Sequence, residues 1–408
     1  MRQTALRVNY RTYLVSIVVG LLLTQRVPHS YADDGRFLTI NASRAVAISV
    51  DGSVVTGKDN DTPFLWTPAG GLELIPLPSN FNLFDVINLS GDGSTIVGGV
   101  RIGGFGFDGR FEGFRWTRSA GYVPLGRFSN DYTDWAFASG ASHDGSVIVG
   151  VNDTPSGRRG FRWTASTGQI DLGLLPGAIP SQEIYAPYTE ANDVSANGVT
   201  IVGSASRFGG ASYTGFRWTP NQTFDVIGIP PAVPGAITWV GGAVKISGDA
   251  NVIAGYSQGT ASGAWAWTQP GGFSPLNTQV VDRSPVVTSI SHAGAVIGGV
   301  ETFWSPTANQ IVSRAVIWTR TASGYKPIDV ADMLTFNGID QQGWRLTQIT
   351  DVSGDGHTLI GVGIAPNGAS RSWYAHVPAL VPEPSSSLLA MMVAGGVLAY
   401  RRHRRTAP

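Results

Sequence analysis

Ser90-Gly91-Asp92-Gly93-Ser94-Thr95-Ile96-Val97-Gly98, read SGDGSTIVG, decides the fold, because the chain writes this phrase seven times in varied spelling. The other copies begin at Ser49 (SVDGSVVTG), Ser142 (SHDGSVIVG), Ser195 (SANGVTIVG), Ser247 (SGDANVIAG), Ser291 (SHAGAVIGG) and Ser353 (SGDGHTLIG). Successive serines stand 41, 52, 53, 52, 44 and 62 residues apart. A tryptophan follows each copy in strict alternation: Trp66, Trp116, Trp163, Trp218, Trp267, Trp318 and Trp373. Self-similarity at such a period marks a propeller, a solenoid or an array.

Each unit reads as strands. Asp-Gly and Asn-Gly admit the positive φ that a two-residue hairpin turn needs. Asp51-Gly52, Asp92-Gly93, Asp144-Gly145, Asn197-Gly198 and Asp355-Gly356 are therefore expected to turn one strand into the next. The β-branched residues after each turn suit a pleated, buried strand. Next comes GFRWT, at 113–117, 160–164 and 215–219, varied to PFLWT at 63–67, AWAWT at 264–268 and AVIWT at 315–319. A period of two sets Phe and Trp on one face, Arg and Thr on the other. A further apolar segment follows, at 71–77, 121–126, 169–175 and 223–229. With the short strand that enters each serine, these make about four strands per unit, the content of one propeller blade.

The expected fold is all-β: a β-propeller of seven blades, each of about four antiparallel strands, spanning residues 33–378. A closed ring leaves no open sheet edge. Residues 37–40 precede the first repeat and are placed to supply the outer strand missing after residues 373–377.

The two ends carry a different message. Arg2, Arg7 and Arg11 precede an apolar run at 13–23, and Ser30-Tyr31-Ala32 offers small residues for signal peptidase, so residues 1–32 read as a secretory signal cut after Ala32. The tail reads VPEPSSSLLAMMVAGGVLAYRRHRR over 381–405. Pro382 and Pro384 hold the backbone extended and lack N–H donors. The apolar stretch that follows is short for a spanning helix. Arg401, Arg402, Arg404 and Arg405 then form a basic stop of the kind found on cytoplasmic faces.

That order, Val381-Pro382-Glu383-Pro384-Ser385, an apolar run and then Arg401-Arg402, resembles the PEP-CTERM sorting signal of bacterial surface proteins. The resemblance covers residues 379–408. It implies cleavage by an exosortase, a membrane-held intermediate, and a place at the cell surface or in the extracellular matrix. The repeats in turn resemble the extracellular HAF repeat family, through Asp193-Val194-Ser195, Asp351-Val352-Ser353 and Phe114-Arg115-Trp116. The family's histidine is absent, with Gly113, Gly160 or Gly215 near its place. This second resemblance implies a surface β-repeat protein and brings no reaction with it.

Composition narrows the partners. The whole chain balances 28 basic against 28 acidic residues, but the body between the two processed ends holds 20 basic and 27 acidic, about −7. A mildly acidic, charge-poor body argues against nucleic acid. With no cysteine there is no disulfide and no thiolate metal site.

No enzyme is visible in the motifs. Calcium needs several converging oxygens, and each unit offers one Asp, which becomes Asn197 in one copy and Ala293 in another. The SxDG phrase is similar to the Asp-box of sialidase propellers, but Asp and Gly are adjacent here and an aliphatic residue stands where the box has Trp. Arg115, Arg162 and Arg217 recur at one strand position and are expected to face solvent beside the buried Phe and Trp. His143 and His292 share one exposed turn slot, no histidine pair has helical zinc spacing, and no nucleophile elbow or phosphate loop is present. No cofactor and no metal are expected.

The seven tryptophans are expected between blades, where a large ring buries most. Less regular aromatics in longer loops are the candidates for ligand contact: Tyr132, Trp135, Tyr185, Tyr188 and Tyr213, with Trp239 and Trp304 beside them. The functional expectation is an exported, non-enzymatic surface or matrix protein that binds a polysaccharide or a surface protein. A secreted glycan hydrolase or lyase is the alternative.

Overall fold

All seven repeat serines are buried, none more than 1 % exposed, and they explain the repeat. In the computed structural model, Ser49 Oγ donates to Asp51 Oδ1 at 2.6 Å and accepts the Val54 N–H at 2.9 Å. The same Asp51 oxygen accepts the Ser53 N–H at 3.0 Å. One hydroxyl and one carboxylate thus satisfy a hairpin loop that would otherwise bury orphan donors. The Asp-Gly pair does not form the expected two-residue turn. It closes a longer loop held by Ser49 and Val54, in which Asp keeps negative φ and only Gly52 takes the left-handed value of 73°. Aspartate is there for its oxygens, not for its backbone freedom.

The structure describes residues 35–103, 110–128, 135–178, 186–207, 213–221, 223–228, 238–259, 263–278 and 284–380. The signal segment 1–32 with Ala32, the sorting motif Val381–Ser385 with Arg401 and Arg402, and the loop residues Tyr132 and Tyr185 lie outside them, as does the Trp239 side chain.

The described residues form a seven-bladed β-propeller of four-stranded antiparallel sheets. Blades 1 to 6 occupy residues 44–74, 81–124, 136–171, 188–228, 238–276 and 284–329, each with its strands in chain order from the axis outward. Blade 7 takes three strands from residues 345–376 and its outermost strand, Arg36–Ile40, from the other end of the chain. Arg36 pairs with His376 and Ile40 with Ser372, so the ring closes by the swap that the phase of the two ends predicts.

Every innermost strand carries a bulge at the same place, for example between Ala138 and Gly140 in blade 3. The facing glycine is what the bulge requires. A Cβ on Gly150 would run into the Phe137 carbonyl and the Phe161 ring. Phe161 in turn is fully buried, and Trp163, two residues on, is 8 % exposed.

Register corrects one assignment. Gly150 pairs with Phe161 and Ile148 with Trp163, whereas in blade 7 Gly361 pairs with Trp373 and Leu359 with Ala375. Trp373 therefore stands in the phenylalanine slot and not with the other six tryptophans.

The arginines also differ from expectation. Arg115 is half-buried between blades, with its guanidinium 5.5 Å from the Trp163 ring centroid of the next blade. Arg217 reaches blade 5, donating to Gln269 at 2.7 Å. The position that precedes each Trp packs against the following blade, and an Arg stem serves there as well as the Leu65 that packs near Trp116.

The 62-residue last gap holds a lengthened hairpin in blade 6, Val296–Ser305 and Gln310–Thr321, and a helix, α1 (Val330–Phe336). Asp329 caps α1 by accepting the Ala331 N–H. Met333 and Leu334 of α1 join the cluster that buries Phe37 of the closing strand. No helix among the described residues is long and apolar enough to cross a membrane.

The propeller has two unlike ends. The serine turns crowd one, here the turn end; the loops between second and third strands and the blade-to-blade connections occupy the other, the loop end. Both termini of the described body leave from the turn end: Gly35 precedes the Arg36–His376 pair, and Leu380 lies beside Gly356 of the last serine turn.

Candidate functional site

The loop end gathers three of the sequence candidates. Trp135, just before the innermost strand of blade 3, stacks on Phe111 of blade 2 with centroids 4.0 Å apart and planes at 7°. Phe84 meets both rings edge-on, at 5.7 Å and 5.1 Å. Arg101 lies over the Phe111 ring at 5.7 Å. Phe84 stays 42 % exposed and Trp135 38 %. A single exposed ring needs no explanation, but a stacked platform left in water does.

Tyr188 and Tyr213 also come together, and Tyr256 of blade 5 extends them. Centroids are 6.5 Å from Tyr188 to Tyr213 and 6.4 Å from Tyr213 to Tyr256, whose hydroxyls are 3.3 Å apart. Burial pushes the Tyr188 and Tyr256 phenols up, and neighbours add to it: the Glu190 carboxylate for Tyr188, the Tyr213 hydroxyl for Tyr256. Both remain neutral donors.

Polar groups join the two aromatic sets. The Trp135 carbonyl accepts the Asp153 N–H at 2.7 Å. Arg158 then bridges Asp153 at 2.7 Å and Glu190 at 2.6 Å. Burial alone would lower the Arg158 guanidinium, but these two carboxylates outweigh it and hold the charge. The result is one connected track of rings and ion pairs across blades 2 to 5. Trp304, 56 % exposed, stands apart on the long hairpin of blade 6.

The turn end holds a second constellation, around the axis. The residue after each repeat serine belongs to a closed ring of backbone hydrogen bonds from blade to blade. Val50 donates to Gly91, Asp92 to His143, His143 to Ala196, Ala196 to Gly248, Asp249 to His292, His292 to Gly354 and Gly354 back to Val50, over 2.8–3.1 Å. Inside this rim lies a cavity of ≈ 110 Å³ whose lining includes Leu89, Val194 and Ile290. Asp193, Lys245, Asp351 and Asn88 line it deeper in, two residues before their serines.

Sequence reading missed these charges, although a signal was present. The phrases Ser-Gly-Asp, Ser-His and Asp-Val-Ser occur in that order at 90–92, 142–143 and 193–195, and again at 247–249, 291–292 and 351–353. The phrases thus recur three blades apart, although Ser-Gly-Asp stands a third time at 353–355 in blade 7. The contacts repeat as well. Asp193 Oδ2 accepts Ile246 N–H of the next blade and Asp351 Oδ2 accepts Ile48 N–H. A Cβ on Gly91 would strike His143, and one on Gly248 would strike His292. Burial raises both carboxyls, Asp351 to about 6, against the lowering effect of nearby Lys245.

The expected exposure of His143 and His292 holds at the rim. Among the described residues no group of three or more His, Asp or Glu is arranged to hold a metal ion.

No protein-family model and no curated protein sequence matches the chain. In fold it is similar to oligogalacturonate lyase from Vibrio parahaemolyticus, at TM-score 0.51 and 8 % identity over 83 % of this chain and 93 % of that one. It is also similar to a prolyl endopeptidase, at TM-score 0.50 and 9 % identity, covering 91 % of this chain and 55 % of the other. TolB from Acinetobacter baumannii matches at 0.41 and 11 %, over 69 % of this chain and 62 % of TolB. The likeness is one of fold.

Proposed function

We propose that this chain is an exported, non-enzymatic binding propeller of the cell surface or extracellular matrix that takes an extended glycan along its loop end. The observation that carries the reading is the continuous track from Phe84, Phe111 and Trp135 through Arg158 and Glu190 to Tyr188, Tyr213 and Tyr256. Rings offer apolar faces to sugar C–H groups, and the polar links between them offer donors and acceptors. A track that crosses four blades suits a polymer better than a single sugar.

The tail fits the same reading. A signal peptidase cut after Ala32 and an exosortase cut at Val381–Ser385 would yield a body whose chain ends leave from the turn end, so a tether there turns the track away from the membrane. Deleting Pro382–Pro384 is expected to leave the heavier, membrane-held form in fractionated cells; an unchanged mature mass contradicts the sorting assignment.

The test of binding is titration of the purified protein with a panel of extracellular polysaccharides. Trp135→Ala and Phe84→Ala should each weaken binding to the preferred glycan by roughly 1–3 kcal/mol, the value of a ring stacked on a ligand, with the melting temperature kept. Equal affinity in both variants contradicts the reading.

A glycan hydrolase or lyase is the rival, favoured by the convergence of Asp193 and Asp351 on the axial cavity. Against it, all four of their carboxylate oxygens already accept backbone N–H groups, and the repeated arginines are wedged between blades rather than turned to the axis. Shortened glycan products on prolonged incubation would decide for the rival.

A further inference from the structure

We infer that the turn-end cavity is a binding site for a primary ammonium on an aliphatic stem, the chemistry of a free alkylamine or of a lysine side chain on another protein. Three observations on the axis lead there. The cavity's volume of ≈ 110 Å³ is several times what one water needs. Its lining mixes polar groups with Leu89, Val194, Ile246 and Ile290, whose small exposed apolar surfaces suit methylene groups. Its depth is unbalanced in side-chain type: two acidic groups, Asp193 and Asp351, face one basic group, Lys245.

The acids come from two blades three apart: blades 4 and 7 each deliver one acidic side chain to the wall, and blades 3 and 6 each one histidine to the rim. Blades 2 and 5 differ at the wall, where Asn88 of one holds the sequence position that Lys245 holds in the other. The Lys245 side chain makes no hydrogen bond or ion pair with another described residue and acts on both acids only at a distance. Beyond the rim the field has the same sign, because Asp92 lies near His143 and Asp249 near His292. Each carboxylate oxygen accepts one N–H and has a further lone pair for a ligand donor.

Acid should empty the site. Burial raises the Asp351 carboxyl to about 6, so a proton there replaces the ligand's charge as the pH falls through that value, and burial raises Asp193 in the same direction.

The experiment is calorimetric titration of the whole protein at pH 8 with n-butylammonium, against n-butanol and acetate. Saturable binding of the ammonium alone is expected, lost by at least about tenfold in Asp351→Asn, since a charge-assisted contact of 1.5 kcal/mol or more is removed. Asn88 shows that an amide fits this strand position, because its Oδ1 accepts the following N–H at 2.8 Å as Asp351 Oδ1 does. If Asp351→Asn fails to fold, Lys245→Met supplies the test: removing the like charge should tighten ammonium binding and leave the melting curve near wild type. A blocked lysine tripeptide as second ligand separates the sources, since binding of the peptide as well points to a protein partner and binding of the free amine alone to a small amine. No saturable binding, binding indifferent to both variants, or binding of acetate that disappears in Lys245→Met overturns the inference.

Discussion

Gly150 and Ser142 show how much a single side chain decides in this chain. The serine hydroxyl donates to Asp144 and accepts the Val147 N–H, so a hairpin turns inside the ring without an orphan donor. The glycine, eight residues on, leaves room for the bulged strand beside it and for the Phe161 ring. Replacing Gly150 with alanine should destabilise by on the order of 3 kcal/mol, the upper range for overpacking, read as a lower midpoint in urea at unchanged slope. An unaltered midpoint would mean that the bulge yields. Both residues were legible because the repeat prints them seven times. Trp373 was not, because spacing alone cannot tell position i from i+2 of one strand face; only its pairing with Gly361 does.

At the scale of elements, the strand period told which residues alternate but not what meets them across the blade boundary. Arg115, Arg162 and Arg217 read as solvent-facing because arginine usually is. Yet the outward face of a blade's third strand is the next blade's wall, and Arg115 finds the Trp163 ring there. Trp163→Ala should therefore cost about 3–5 kcal/mol, as loss of a packed ring does; a melting curve like wild type would place the ring outside the core. Closure is the other test at this scale. The Arg36–Ile40 strand was visible from the phase of the ends, whereas α1, which packs against it, was hidden in an over-long gap. Removing residues 35–42 takes away Phe37, stacked on Trp373 at 6.2 Å and edge-on to Trp344 at 5.8 Å. The truncated protein should lose its cooperative unfolding transition and gain strand-edge aggregation; retention of a sharp transition would show that blade 7 stands with three strands.

For the whole molecule, the ring gives the chain two ends with separate chemistries. The turn end carries the repeated aspartates, the axial carboxylates and both exits of the chain. The loop end carries the aromatic track. Neither cluster is assembled along the chain, because each gathers one or two residues per blade from positions that neighbour one another only after closure. Phe84, Phe111 and Tyr256 lie inside strands and carry no mark beyond ordinary alternation. Trp135, Tyr188 and Tyr213 were found because they interrupt the period.

The central claim is that the track takes a polymer across several blades, and chain length of the ligand tests it most directly. Titration with an oligosaccharide series cut from the preferred glycan should show affinity rising with each added sugar until the track is filled, then levelling. In Trp135→Ala the rise should begin later in the series. A monosaccharide that binds as tightly as the polymer, or a length dependence untouched by Trp135→Ala, would contradict the account.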